Sequence, residues 1–207
     1  MPEAIDRASR TAGPAGRVVL DVLPLKDGVL LPTVLMPLFV GRARSLAALR
    51  GAMARDHQIF LVSQKDPAQE EPSVADLHQV GTVARIIQTV PVREGMMKVL
   101  VEGLYRARIV STITDDPLSV NAEVVVDRTD SDVEAQALRH AALERLGALG
   151  KISGRIPDGL VAAVAAIAEP GRVADALAGN LETAAPERQS LLETQPVEKR
   201  LAQRGFD

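Results

Sequence analysis

One glycine-rich segment has residue types that bind phosphate in many proteins. Gly147 and Gly150 precede Lys151, but their spacing differs from that of a phosphate-binding loop, and Ile152 stands where the magnesium-binding hydroxyl would follow. The segment also ends a predicted helix, whereas such a loop begins one so that free amides face the anion. The sequence therefore predicts a helix that stops at Gly150, with Lys151 near its negative end, and no nucleotide site.

The residues that could act as acids, bases or nucleophiles are scattered. His57, His78 and His140 are the only histidines, and none has a spacing typical of a local metal pair. Ser63 and Lys65 face the same side of a predicted strand, so a Ser/Lys pair is geometrically open, but nothing nearby supplies an oxyanion hole. We predict no catalytic residue, no metal and no cofactor.

Clustered charges give two further candidates. Acidic pairs at 70–71 and 115–116 lie in predicted turns and are typical of solvated carboxylates. Arg106 and Arg108 share one face of a predicted strand, and Arg85 is expected on a neighbouring strand. Three arginines could form a small anion site, but a solvated face with cross-strand ion pairs is the favoured interpretation.

Composition limits the classes of function. The 207 residues are 46% hydrophobic and only 2% aromatic, with no cysteine and a formal net charge of -3. The acidic balance argues against a broad electrostatic grip on nucleic acid or an anionic membrane. Without cysteine, disulfides, Cys-ligated zinc and a thiol nucleophile are excluded. The first sixteen residues lack the apolar core of a signal peptide, and no apolar run approaches the roughly 20 residues of a membrane span, so we predict a cytoplasmic protein.

The most unusual stretch runs from Val22 to Met53. Its apolar part, residues 29–40, contains Pro32 and Pro37, which have no amide proton and therefore cannot sit in a central strand. The backbone here must be an edge, a bulge or a loop. A helix follows, with Ser45 as its predicted N-cap.

Alternating, β-branched segments continue to residue 126. Arg93-Glu94-Gly95 predicts a hairpin turn, Gly103 a bulge or close approach, and Ser73 with Asp76 a capping box that opens a brief helix. Strands are predicted at 58–63, 82–92, 96–104, 105–112 and 118–126.

From Ser131 the apolar period changes to about 3.6 residues. Ser131 and Glu134 predict a second capping box, and further short helices are expected near Pro170, Pro186 and Pro196. The chain thus has a β-rich part and an all-α part.

The segment LPLKDGVLLPTVLMPLFVGRARSLAALRGAM resembles the opening of the N-terminal domain of bacterial Lon, the ATP-dependent protease. The resemblance continues through IFLVSQKD, VGTVARIIQTVPVREG, MKVLVEGLYRARI, IPDGLVAAVAAIAEPGRVADALAGNL and RQSLLETQPVEKRL. It covers Val18 to Leu201.

The resemblance implies an α+β fold, with a PUA-like β pseudo-barrel followed by an all-α helical subdomain. We expect a disordered leader at 1–17, the barrel at 18–127 and the helical subdomain at 128–207. The chain has no Walker motif and no protease domain, so it is expected to have no catalytic activity alone. It is either the N-terminal part of a Lon protease or a stand-alone protein of the same domain type.

The resemblance also implies a function, which is to recognise unfolded or tagged protein substrates and to support assembly of a Lon-type hexamer. A reader of unfolded protein needs an apolar, adaptable surface. We predict that surface from the proline-broken segment and the hairpin methionines: Leu31, Pro32, Val34, Leu35, Met36, Met96 and Met97.

The sequence leaves two other classes of function open. A PUA-like module can bind RNA, but the acidic balance and the single tyrosine offer few phosphate contacts or stacking platforms. A barrel mouth can hold a small ligand, but no cluster of polar residues in the sequence indicates one.

Overall fold

The structure, a computed structural model, describes residues 16–153, 158–180 and 184–202. The predicted leader lies outside these residues except for Gly16 and Arg17. Contacts divide the chain into two compact units: Met1–Leu30 with Leu35–Val125, and Leu31–Val34 with Val126–Asp207. We call them the barrel unit and the helical unit.

The described residues of the barrel unit form six strands and one α-helix. β5 pairs with β2 through residues 97–102 on one edge and then with β6 through residues 106–115, while β4 lies along its other edge. The sheet order β2-β5-β4-β3-β1-β6 therefore closes where β5 meets β6, and β2 stands outside the ring as an edge strand. The elements are β1 Arg17–Leu25, β2 Leu35–Val40, α1 Ala43–Met53, β3 Gln58–Ser63, a 3-10 helix Val74–Asp76, β4 Val80–Arg93, β5 Met96–Asp115 and β6 Leu118–Val125.

Aliphatic side chains fill the barrel, as the shortage of aromatic residues requires. Among the described residues, Phe60 is the only fully buried aromatic side chain, and Val83, Leu77 and Val120 pack in the same cluster. Burial of these side chains is the main favourable contribution to folding. α1 covers β1 and β3 with Leu49 and its alanines.

The start of α1 differs from the prediction. Ser45 is not the N-cap: the helix begins at Ala43, and Arg42 is the N-cap residue with an extended backbone. Ala43 and Arg44 are good helix formers, so the helix begins two residues before Ser45, whose side chain is buried. By contrast, the capping box of Ser73 and Asp76 is confirmed, since the Ser73 amide and hydroxyl both donate to Asp76 Oδ2.

Other local predictions in the barrel unit are confirmed. β4 and β5 meet at a turn where Gly95 has a φ of 72°, and Pro37 lies in the edge strand β2. The pairing of β4 with β5 passes from Tyr105 to Gly103 without Leu104, which is the bulge expected at Gly103.

The helical unit contains five α-helices in the described residues. They are α2 Asp132–Ser153, α3 Asp158–Ala165, α4 Pro170–Asn180, α5 Ala185–Glu193 and α6 Val197–Leu201. The short helices near the three prolines are confirmed, and Ser131 Oγ accepts the Glu134 amide at the start of α2. The predicted stop at Gly150 is wrong, because α2 continues to Ser153. A glycine inside a helix costs only about 1 kcal/mol, which the surrounding helix formers offset.

A buried arginine holds the helical unit together. Arg200 in α6 has no exposed surface and donates from both terminal nitrogens to the Asp127 carboxylate, at 2.8 and 2.6 Å. Its Nη1 also donates to the Thr194 carbonyl. Gly171 in α4 lies so close that a Cβ there would overlap both Asp127 and Arg200. The α+β class is thus confirmed, with a strand-built barrel followed by helices.

Candidate functional site

The residues considered for catalysis serve structural purposes. Ser63 Oγ donates to the Gly28 carbonyl at 2.6 Å, and Lys65 Nζ donates to the Ala75 carbonyl at 2.8 Å. Their polar atoms are therefore engaged with different backbone groups rather than with each other. His140 lies 3.4 Å from Glu144 on the exposed side of α2. Within the described part of the chain, no group of three or more acidic or histidine side chains could hold a metal.

The glycine-rich segment and the arginines are also accounted for. Residues 147–153 lie inside α2, so their backbone amides are not free to bind phosphate. Arg108 pairs with Glu123 across β5 and β6, and Arg85 with Glu102 across β4 and β5, as the favoured interpretation expects. Arg106 differs from it, since its side chain is buried rather than solvated.

Two of the predicted contact residues are buried. Leu31 is 1% exposed, and Pro32 is also buried. Val34 is half-buried and contacts Gly179 of α4, where a Cβ would overlap its side chain. These three side chains pack within the helical unit, and Leu31 and Pro32 have almost no surface exposed for contact with another molecule.

Leu35 and Met36 lie on opposite faces of β2. Leu35 is 59% exposed and stands opposite Glu102, whereas Met36 is half-buried and stands opposite the buried Val101. Because side chains alternate along a strand, only Leu35 faces outward.

The two methionines of the hairpin are half-buried. Met97 stands opposite Val40 of β2 and shares the inward face of β5 with the buried Val99. Met96 places its terminal methyl beside Gly41, 3.6 Å from where a Cβ would be. Both therefore lie at the margin of the core, and the structure does not bring them together with Leu35.

Three strands instead present one continuous outward face. β2, β5 and β4 align in that order, and residues paired across them point to the same side. We call the resulting nine-residue patch the outer face. Its rows, read from β2 through β5 to β4, are Phe39–Lys98–Val90, Pro37–Leu100–Gln88 and Leu35–Glu102–Arg85.

The outer face is apolar at its centre and on the β2 side. Phe39 is 66% exposed and Val90 44%, while Leu100 at the centre is half-buried. Five of the nine positions are apolar, which is a concentrated patch for a small soluble domain. The charged positions are few: Arg85 Nη2 lies 2.5 Å from Glu102 Oε2, and Lys98 Nζ lies 6.0 Å from the Phe39 ring centroid.

Sequence reasoning missed Phe39, Val90 and Leu100. The available signal was the alternation of Leu35, Pro37 and Phe39, which a strand places on one side. That signal was weak because the intervening residues of β2 are apolar as well. The β5 and β4 contributions depend on register, which the sequence does not display.

The open alternatives find little support. Tyr105 is half-buried, its hydroxyl donates to Gln58 Oε1 at 3.2 Å, and burial raises its pKa to about 12, so it is no exposed stacking platform for RNA. A cavity in the barrel unit has a volume of about 170 Å³, below the roughly 300 Å³ at which ligand pockets begin. Charges of both signs, Arg42 and Arg44 with Glu70, line it.

Comparison with known proteins identifies the family. The model of the ATP-dependent protease La (LON) substrate-binding domain matches residues 19–203. The chain belongs to this family. The Lon resemblance found in the sequence is thereby confirmed.

Individual relatives agree with that assignment. The chain is 39% identical over 187 residues to the Lon protease of Escherichia coli K12, and 41% identical over 183 residues to Lon protease 1 of Syntrophobacter fumaroxidans. These alignments cover 89% and 88% of the chain but 24% and 22% of the relatives. The chain therefore spans about a quarter of the length of the curated relatives it matches.

Solved structures support the fold. The N-terminal domain of a Mycobacterium avium complex Lon protease aligns with 88% of the chain and 94% of its own length, with a TM-score of 0.69 and 22% identity. A Lon N-terminal domain protein from Xanthomonas campestris gives a TM-score of 0.58 at 19% identity. At these identities the similarity concerns the fold alone. Among the described residues, no helix is long and apolar enough to cross a membrane.

Proposed function

We propose that this chain is the non-catalytic substrate-recognition and assembly module of an ATP-dependent Lon-type serine protease. It works in the cytoplasm and binds exposed apolar segments of unfolded or damaged proteins. The family assignment supports the general role, and the outer face supports the kind of substrate. The observation that carries the proposal is that Leu35 and Phe39 are exposed although they lie on a paired strand. Packing within the described residues gives no reason for two large apolar side chains at these positions.

The outer face suits capture through side chains. Its residues lie on paired strands that are already ordered, so this chain loses little backbone entropy when a client binds. Addition of a client strand to the edge of β2 is less suitable, because Pro37 has no amide proton to donate. The proposal therefore keeps Leu35 from the sequence prediction and adds Pro37, Phe39, Val90 and Leu100. Met36 and Met97 support the face from its inner side.

A charge-insertion pair tests this function. Leu35→Asp places a carboxylate on the outer face, and Val19→Asp does the same at a position on β1 that is similarly exposed, 57% against 59%. We expect Leu35→Asp to weaken binding of a reduced, carboxymethylated protein at least tenfold, while Val19→Asp binds like the parent. Equal binding by all three proteins would show that the outer face does not take clients.

Both variants must remain folded for the comparison to count. Each replaced side chain is more than half exposed, so thermal unfolding should shift by only a few degrees. The assembly role rests on the family alone. Sedimentation velocity of this chain measures whether the segment self-associates, and a strictly monomeric chain at high concentration would assign assembly to other parts of the protease.

A further inference from the structure

The outer face carries one cation that its own residues do not neutralise. Lys98 lies in the middle strand of the row Phe39–Lys98–Val90, between two exposed apolar side chains. The carboxylate on the same strand face, Glu102, is held by Arg85 at 2.5 Å. Within residues 16–153, 158–180 and 184–202, no carboxylate lies within ion-pair distance of Lys98.

We propose that Lys98 makes the outer face selective for apolar client segments that carry a carboxylate beside the bound apolar residue. This inference rests on the proposed function and adds the charge of the client. A client that covers Phe39 and Leu100 must bring the next side chain on its same face close to the ammonium group. An acidic neighbour gains attraction there, and a basic one meets like charge.

The spacing of the rows gives the selectivity a register. Lys98 and Leu100 are two residues apart on β5, which separates their rows by about 7 Å. Alternate residues of an extended client have the same spacing. A client whose apolar side chain covers Leu100 therefore brings the residue two positions away over Lys98. The residue directly adjacent in sequence points to the other side of the client.

Lys98 also keeps an apolar surface below its charge. Its ammonium lies 6.0 Å from the Phe39 ring centroid, a distance at which the ring still attracts a cation. Its methylene stem can remain on the sheet while the charged end meets the client. The site thus combines an aromatic ring, a central leucine and a cation within two rows.

Three labelled peptides test the inference with the full chain. All three have the same apolar core. They differ at one position, two residues from the central apolar residue, which is aspartate, asparagine or lysine. By fluorescence anisotropy at low salt, we expect the aspartate peptide to bind about 2- to 5-fold tighter than the asparagine peptide, the range for an exposed ion pair. The lysine peptide should bind more weakly than both, and 0.5 M salt should remove the differences.

Variants assign the effect to one side chain. Lys98→Gln should equalise the three peptides, and Lys98→Glu should reverse their order. Lys199→Gln makes the same change in net charge at an exposed position of α6 and should keep the order of the parent. If the parent binds all three peptides equally, or if Lys98→Glu keeps the parental order, the inference is wrong although clients still bind. If no peptide binds the parent and Leu35→Asp has no effect on unfolded protein, the proposed function itself fails.

Discussion

Truncation of Phe39 should separate client binding from folding more clearly than any other change on the outer face. The Phe39 side chain is 66% exposed, so about two thirds of its surface is available to a client. Full burial of a phenylalanine is worth about 1.5–3 kcal/mol. Two thirds of that is about 1–2 kcal/mol, or about 5- to 30-fold in the dissociation constant.

Phe39→Ala should lower the free energy of unfolding only slightly. Only about one third of the side chain is already buried, which corresponds to about 0.5–1 kcal/mol of unfolding free energy. Loss of the Lys98 contact adds about 0.5 kcal/mol at an exposed site. The variant should therefore unfold at a slightly lower denaturant concentration and remain fully folded in buffer.

The assay for Phe39→Ala is anisotropy of a labelled, reduced and carboxymethylated protein titrated with the chain. Val19→Ala is the matched control, because Val19 is a similarly exposed apolar residue on a strand of the same unit. We expect at least a fivefold loss of affinity for Phe39→Ala and less than a twofold change for Val19→Ala. A loss of stability above about 2 kcal/mol, with affinity unchanged, would mean that Phe39 is a packing residue and the reasoning is wrong.

Three further predictions concern the helical unit, each measured by urea unfolding. Asp127→Asn removes the carboxylate that binds both terminal nitrogens of the buried Arg200 and leaves only Asp175, 3.8 Å from its Nε, so it should cost about 3 kcal/mol. An unchanged midpoint would mean that Asp175 and the carbonyls suffice. Gly171→Ala forces a Cβ into this pair and should cost about 1–3 kcal/mol, with equal stability indicating that the helix shifts freely. The third prediction concerns Glu198, whose pKa is lowered by the backbone amides of Ser131 and Asp130. Its contribution to the free energy of unfolding is therefore present above the ordinary pKa of 4.5 and is lost as the pH falls through the lowered pKa. Glu198→Gln should reduce this loss of stability at acid pH, and a pH profile identical to that of the parent would exclude the effect.

Local chemistry predicted the fold where one residue decides the backbone. Pro37 has no amide proton and therefore excludes a central position for its strand, and β2 is indeed at the edge of the sheet. Gly95 suits the positive φ of the hairpin turn, and Ser73 finds its partner only three residues away. Each of these inferences needs no knowledge of distant parts of the chain.

The candidate site could not be predicted in the same way because β2 is apolar on both faces. Leu35 and Phe39 look no different from Met36 in a sequence window, although Leu35 is 59% exposed and Met36 half-buried. A polar residue at every second position would have revealed the outward side. Here only the pairing with β5 decides it, and that partner lies some 60 residues away.

The helix boundaries were missed for a related reason. Ser45 and Gly150 are typical cap residues, but both lie inside helices whose neighbouring residues also favour helix. The buried Arg200 has no sequence signal at all, since it looks like any charged residue at a helix end. Its carboxylate partner, Asp127, is 73 residues away.

The outer face exists because β5 changes partners along its length. Its first part pairs with β2 up to Glu102, and its later part joins β6 from Arg106 to close the barrel. The bulge at Gly103 falls between these two parts, and bulges bend a strand and increase its twist. One long strand can thus belong to a closed barrel at one end and present an uncovered apolar face at the other. β2 and β6 use consecutive, non-overlapping residues of the same edge of β5, 97–102 and 106–115. The bulge that the sequence predicted at Gly103 therefore lies where one strand passes from the outer face to the closed part of the barrel.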